Sequence, residues 1–264
     1  MQVTTAQLPG IDASDDKIFV VPNAVIVLDG ASAFRPIPVP ASVYADDLGH
    51  RIARGLTDHP DADLREVVRS AIEGTTHRLE LEPGNSPSST VTILRQRGDE
   101  VDVFALGDSV AVLPAGVVTD QRIDALDLEP RHSYRQRLAA GHGYDQTHRD
   151  LLRELQTQQV AHRNREGGYW IAEANPDAAA HAVLQTVPAD DVPWAVLATD
   201  GAYDVMAHLG LDDWPKVSHS DDAQLAAILE QCQSWEDEAD PNAVALPRAK
   251  RHDDKAIAAV ELRP

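Results

Sequence analysis

Two hydrophobic patterns alternate along this chain. Short runs rich in Val, Ile and Leu predict strands, and longer stretches with apolar positions every three or four residues predict helices. Residues 18–21 and 24–28 are two such runs joined by Pro22-Asn23, which reads as a hairpin. Helices are expected at about 41–56 (Tyr44, Leu48, Ile52, Leu56) and 61–81 (Leu64, Val67, Val68, Ile72). Strands follow at 90–95, 101–106 and 109–114, with a shorter run at 116–119. Their connections are too short for crossovers, so they are expected to form an antiparallel meander. Residues 131–141 and 147–163 are helical and heavily charged, and lead into the Gly-rich, aromatic loop Gly167-Gly168-Tyr169-Trp170. The region 131–175 therefore reads as an insertion or flap. A short helix is expected at 178–184, a buried strand at 194–198 with a helix directly after it, an amphipathic helix at 221–235, and a last strand at 256–262. Helices come in pairs and strands in groups. This predicts an α+β sandwich, read as one domain over 1–264, rather than alternating βαβ units.

Composition narrows the class. The chain has 264 residues, 43% hydrophobic and 25% charged, an ordinary globular balance. No apolar run approaches the roughly 18 residues of a membrane helix. The first seven residues lack the basic and apolar regions of a secretory signal. A single cysteine, Cys232, excludes an internal disulfide and fits a cytoplasmic protein; its place on the apolar face of 221–235 reads as core. The formal net charge of −20 argues against nucleic acid or anionic membrane as partners and favours cations. His148-Arg149-Asp150 matches the kinase catalytic triplet, but no glycine-rich phosphate loop or metal triplet accompanies it.

Four carboxylate junctions stand out: Asp29-Gly30, Gly107-Asp108, Asp200-Gly201 and Asp253-Asp254. Each lies at the end or start of an expected strand. One Asp-Gly pair alone is an ordinary turn. Four at strand tips of two packed sheets can converge at one edge, where they would repel each other and need divalent cations. All-oxygen ligation without a cysteine or paired-His motif selects Mg²⁺ or Mn²⁺ over Zn²⁺. Two such ions about 3.5–4 Å apart can share a water and turn it into hydroxide at neutral pH.

In this order and spacing, the motifs resemble those of the metal-dependent protein phosphatases of the phosphatase 2C type. Val25-Ile26-Val27-Leu28-Asp29-Gly30, Ser88-Ser89-Thr90-Val91, Ala105-Leu106-Gly107-Asp108-Ser109, Ala198-Thr199-Asp200-Gly201-Ala202-Tyr203-Asp204-Val205 and Asp253-Asp254-Lys255-Ala256-Ile257 carry the likeness over nearly the whole chain. The resemblance implies a four-layer αββα sandwich with two Mn²⁺ or Mg²⁺ ions. Asp29 would bridge the ions, the Gly30 carbonyl would hold one, and Asp200 and Asp253 would complete the other. Asp108 would form a weaker third site with Asp200, and Asp15 or Asp16, preferably Asp16, would act through water. The implied reaction is attack of the bridging hydroxide on phosphoserine or phosphothreonine in a phosphoprotein within a serine/threonine kinase pathway.

Two departures matter. The family's phosphate-clamping Arg or Lys just upstream of the acidic pair has no counterpart, since residues 1–14 contain neither. Ala31-Ser32 stand where a His often serves as general acid. Arg248, Lys250 and Arg251 beside Asp253, and Arg163 on the flap, are the substitutes the sequence offers; Arg248, Arg251 and Arg163 are taken as substrate-binding candidates. The missing clamp also keeps two alternatives open: a pseudophosphatase that binds phosphoproteins or partners, and a phosphatase of small phosphorylated molecules.

Overall fold

A computed structural model describes residues 1–10 and 13–262. Strands β1 (Gln2–Leu8), β2 (Lys17–Val21) and β3 (Ala24–Leu28) precede helices α1 (Ala41–Asp58) and α2 (Leu64–Leu79). Then come β4 (Val91–Arg97), β5 (Glu100–Leu106), β6 (Val110–Leu113) and β7 (Gly116–Val118), followed by α3 (Glu129–Ala139) and α4 (Gln146–His162). The chain continues through β8 (Val183–Pro188), β9 (Trp194–Ala198), α5 (Asp200–His208), α6 (Trp214–Val217), α7 (Asp222–Glu238) and β10 (Lys255–Glu261).

The strands form two five-stranded sheets, ordered β1-β10-β9-β6-β7 and β2-β3-β4-β5-β8. Neighbouring strands are antiparallel throughout. The apolar runs look unbroken because both faces of the central strands are covered. In β3, Val25 and Val27 face the other sheet, among Leu94, Val103, Leu197 and Ala258. Ala24, Ile26 and Leu28 face the opposite way, against Tyr44, Leu48 and Ile52 of α1 and Ile72 of α2. In β9, Leu197 joins the inter-sheet core, while Val196 and Ala198 pack on Leu225, Leu229 and Cys232 of α7. Each Val, Leu or Ile among them contributes about 1.5–3 kcal/mol on full burial. The result is a four-layer αββα sandwich. The α3–α4 pair stands outside these layers, around its own small cluster of Tyr134, Leu138, Leu152 and Leu155.

Three features depart from the sequence reading. The expected meander breaks at Gly107-Asp108: β5 ends in one sheet and β6 begins in the other, where it pairs with β7 and β9. Gly107 takes φ +92° at this corner, a conformation open to glycine. The short link is a passage between layers, not a hairpin. Residues 178–184 are not one helix: a 3₁₀ turn (Pro176–His181) leads into β8, whose alternation is faint because it is an edge strand with Gln185 and Thr186 exposed. β1 was not foreseen. It too is an edge strand: among the described residues its strand partner is β10, and Ala6 is its one buried position.

Candidate active site

The junctions of β3, of β5 with β6, of β9 with α5, and of the segment before β10 meet at one edge of the sandwich. Asp29, Asp108, Asp200 and Asp253 together line a cleft of 220 Å³ roofed by α3 and α4. From α3 come Arg131, Tyr134 and Arg135; from α4 come Leu152, Leu155, Gln156 and Gln159.

Backbone contacts fix the arrangement. Asp29 donates its N–H to Thr90 Oγ1 at 3.0 Å and accepts from Thr90 N–H at 2.9 Å. Gly30 bridges to Ser89, which bridges in turn to Ala172 near the end of the flap. A Cβ on Gly30 would lie 2.6 Å from the Asp15 carbonyl oxygen, and one on Gly201 would lie 2.1 Å from that of Asp254. Neither glycine has a positive φ. Both are there for space: each lets a second acidic segment press against the first.

That second layer separates the paired acids. Asp254 Oδ2 accepts from Asp15 N–H at 2.5 Å and Ser14 Oγ at 3.1 Å, so it holds the loop before β2. Asp15 Oδ1 accepts from Ser42 N–H at 3.0 Å, in the first turn of α1. Asp253 faces the cleft. Asp16 is buried and accepts from Thr199 Oγ1 at 2.8 Å. Behind Asp253, the buried Lys255 donates to the Asp253 carbonyl at 3.0 Å and to Glu236 of α7 at 2.8 Å.

Electrostatics follow from this crowding. Burial raises the Asp29 carboxyl well above the usual range, and the charges of Asp16, Asp200, Asp253 and Asp108 add to the shift. Asp200 is raised in the same way, by burial and then by Asp253, Asp108, Asp204 and Asp16. Asp16 is pushed up to about 8, chiefly by burial, against the Thr199 hydrogen bond. Asp108 rises to about 6 through burial and the nearby Asp124. Lys250 is shifted the other way. Burial disfavours its ammonium, but Asp253, and beyond it Asp29 and Asp254, hold the proton above the ordinary lysine range.

Among the described residues, no three His, Cys, Asp or Glu side chains are gathered closely enough to enclose an ion. The carboxylates stand around the cleft walls instead. Their chemistry still fits a hard divalent cation: the donors are carboxylates and carbonyls, no His or Cys lines the cleft, and the buried carboxylates repel one another.

The three arginine candidates separate. Arg163 lines the cleft, with Nε on Tyr169 Oη at 3.2 Å. Arg248 borders a side compartment of 120 Å³ that shares Asp200 and Asp253, but its guanidinium is spent on Asp240 at 2.8 Å and stacks on Trp235. Arg251 is exposed and pairs with Asp237 at 3.4 Å. The sequence reading did not single out Arg131 and Arg135. Their i,i+4 spacing on a helical stretch was the available signal that they share a face. Arg131 is committed to the carbonyls of Ile123, Asp124 and Leu126, whereas Arg135 is exposed and lines both compartments.

No protein-family model and no curated protein matches the sequence. Solved structures do. The serine/threonine phosphatase Stp1 from Staphylococcus aureus superposes with a TM-score of 0.61 at 10% identity, covering 100% of this chain and 96% of that one. The PPM Ser-Thr phosphatase MsPP from Mycobacterium smegmatis, solved with cacodylate, gives 0.54 at 15% identity over 100% and 99%. The catalytic domain of the serine/threonine phosphatase PstP, in complex with 2 manganese ions, gives 0.51 at 12% identity over 97% and 96%. At such identities the likeness is one of fold, and it spans the whole chain: the protein has the fold of the PPM serine/threonine phosphatases, the phosphatase 2C type.

Proposed function

We propose that this chain is a metal-dependent phosphoric monoester hydrolase acting on phosphoserine or phosphothreonine in proteins. The observation that carries the reading is the cleft itself: carboxylates from both sheets converge on it, with Gly30 and Gly201 making room for the close approach. Asp29, the Gly30 carbonyl, Asp200 and Asp253 would hold two Mn²⁺ or Mg²⁺ ions, with Asp108 and Asp200 at a weaker third position. When bound, such ions supply an activated water and neutralise charge on the phosphoryl group. The chain's own residues do the rest. Thr199 holds the buried Asp16 carboxylate close behind Asp29 and Asp200, and Asp254 ties the Ser14–Asp15 loop in place. The α3–α4 roof narrows solvent access over the reacting phosphate. Arg135, Arg163 and Lys250 are the cleft cations that can face a phosphate dianion, so the clamp absent from residues 1–14 is replaced from the roof and the segment before β10. In the hydrolysis, a water oxygen forms a bond to phosphorus as the bond to the seryl or threonyl oxygen breaks, and the leaving oxygen takes up a proton. Among the described residues no helix is long and apolar enough to cross a membrane; we place the reaction in the cytoplasm.

The test is hydrolysis of p-nitrophenyl phosphate and of a phosphothreonine peptide with Mn²⁺, Mg²⁺ or EDTA. Turnover that requires the metal and is lost in Asp200→Asn supports the reading; a marked preference for the small ester would point to small phosphorylated molecules. The absence of Arg and Lys from residues 1–14 favours a second reading, a pseudophosphatase that binds phosphoproteins. Mn²⁺ and phosphopeptide binding without turnover would select it.

A further inference from the structure

Lys250 sits where the charge balance of the cleft is decided. Its ammonium contacts Asp253 Oδ1, one of the carboxylates assigned to a metal, and donates to Ser32 Oγ at 2.5 Å. Ser32 lies two residues beyond Gly30, so Lys250 spans the gap between the β3 junction and the segment before β10. It is not a wandering surface side chain. Its backbone carbonyl accepts from Tyr144 Oη at 2.9 Å, and the preceding Ala249 carbonyl accepts from His148 Nε2 at 2.8 Å. Both anchors belong to the α3–α4 roof, and a third contact closes the clasp: Gln156 of α4 donates to the Ser32 carbonyl at 3.1 Å. Of the other basic residues near the acidic cluster, Arg135 is exposed on the roof and Arg163 is held by Tyr169, and three more are committed elsewhere. Arg131 is bound to carbonyls, Arg248 to Asp240, and Lys17 to the Ser14 carbonyl.

We infer that Lys250 is a tethered counter-cation for Asp253 and competes with a divalent ion for that carboxylate. The inference rests on the metal-binding reading above. Its physical basis is simple. An ammonium and a divalent ion cannot both sit on the same face of one carboxylate, and a cation attached to the chain acts at a high effective concentration. The lysine holds Asp253 Oδ1, which also accepts from the Asp254 N–H at 2.9 Å, so an ion that draws on Oδ1 displaces Lys250 and one bound through Oδ2 is repelled by the adjacent ammonium; either way the apparent metal affinity falls. The released ammonium, still held over the cleft by its roof-anchored backbone, is then free to meet a substrate phosphate.

The experiment is Mn²⁺ titration by calorimetry of the whole chain and of Lys250→Gln, with thermal melts with and without Mn²⁺. Lys250→Gln is expected to bind Mn²⁺ at least about tenfold more tightly, or to take up one more ion. The metal-free variant should melt lower than wild type, because Asp253 has lost its counter-charge, and should gain more from Mn²⁺. Ser32→Ala, which loosens Lys250 without removing it, should shift affinity the same way by a smaller factor; it carries the test if Lys250→Gln does not fold. Equal affinity and stoichiometry in wild type and both variants would overturn the lysine's role and leave the metal reading standing. No Mn²⁺ uptake by any of them would overturn both.

Discussion

Gly201→Ala is the sharpest test of how the cleft is assembled. Gly201 is the second residue of α5, and a Cβ there would lie 2.1 Å from the Asp254 carbonyl oxygen and 3.0 Å from Asp253 Cβ. Ordinary contact begins at 3.4 Å, so the 253–254 segment would have to retreat by about 1.3 Å. It cannot retreat freely. Asp254 is held to Asp15 and Ser14, and the following Ala256 exchanges hydrogen bonds with Thr199 at 3.0 and 3.1 Å. Overpacking of this kind costs about 1–3 kcal/mol. The sign is what discriminates, because Gly→Ala within a helix otherwise stabilises by about 0.8–1 kcal/mol. Gly74→Ala in α2 serves as the control. There the atoms nearest the added Cβ belong to the flexible Arg51 side chain, Nη1 first at 2.7 Å, which can swing away. Thermal unfolding of the metal-free protein should therefore show Gly74→Ala raising Tm and Gly201→Ala lowering it, at about 2–4 °C per kcal/mol for a chain near this size. Mn²⁺ calorimetry should show weakened binding in Gly201→Ala only, and turnover should fall about 10²-fold if Asp253 moves by 1 Å. A Gly201→Ala protein that is more stable than wild type and binds Mn²⁺ equally would refute the idea that this close approach sets the Asp200–Asp253 pair.

Other perturbations read other parts of the structure. Asp29→Asn should stabilise the metal-free protein near pH 7, because burial and the neighbouring carboxylates disfavour the Asp29 charge, and should abolish Mn²⁺ binding. The sign follows from the raised carboxyl: the unfolded chain ionises near pH 4 while the folded site resists, so stability of the metal-free wild type should fall as pH rises above about 4. A urea series that shows wild type and Asp29→Asn with the same pH slope would contradict it. Asp102 accepts from Arg95 at 2.6 Å, Thr186 at 2.7 Å and Arg97 at 3.3 Å, tying β4, β5 and β8 together. Burial alone would raise its carboxyl, but these partners hold it below the usual range, so its contribution is present above about pH 4 and lost as pH falls further. Asp102→Ala should cost about 3–5 kcal/mol at pH 7 by leaving Arg95 buried without its carboxylate partner, and progressively less as pH falls below about 4 and Asp102 protonates, as read from denaturant midpoints. The Cys232 thiol, fully buried and pushed up to about 11, should be inert to a disulfide reagent at pH 8 in the native protein and react on unfolding; rapid native labelling would show that α7 opens.

Much of this architecture was legible in the chain, and the two strands that were not, β1 and β8, share one cause. Central strands such as β3 and β9 are covered on both faces, so their apolar runs announce themselves. Edge strands β1 and β8 have a neighbour on one side only and few buried positions, so their pattern is too faint to separate from loop. The carboxylates could be found because each sits where a strand ends, a place marked by glycine or by a change of pattern. The cations could not be sorted in the same way. Arg248, Lys250 and Arg251 occupy one irregular segment, and no period says which of three neighbours turns inward. The contacts do: Arg248 is taken by Asp240 and Arg251 by Asp237, while Lys250 is carried into the cleft by the clasp of Tyr144 and His148.

The Asp-Gly pairs show a deeper limit. In a sequence, Asp-Gly is first of all a turn, with glycine supplying a left-handed φ. Gly30 and Gly201 have no positive φ, yet a Cβ at either would strike the backbone of another acidic segment. The glycine that sequence reading assigns to a turn is needed here because a distant stretch of chain lies against it. The two explanations demand the same residue, so no inspection of one junction can separate them. What separates them is that Gly30 receives Asp15 and Gly201 receives Asp254, and that Asp254 in turn holds Asp15. The two junctions are thereby locked to each other through the acids that do not face the cleft, and Asp29, Asp200 and Asp253 are left to face it.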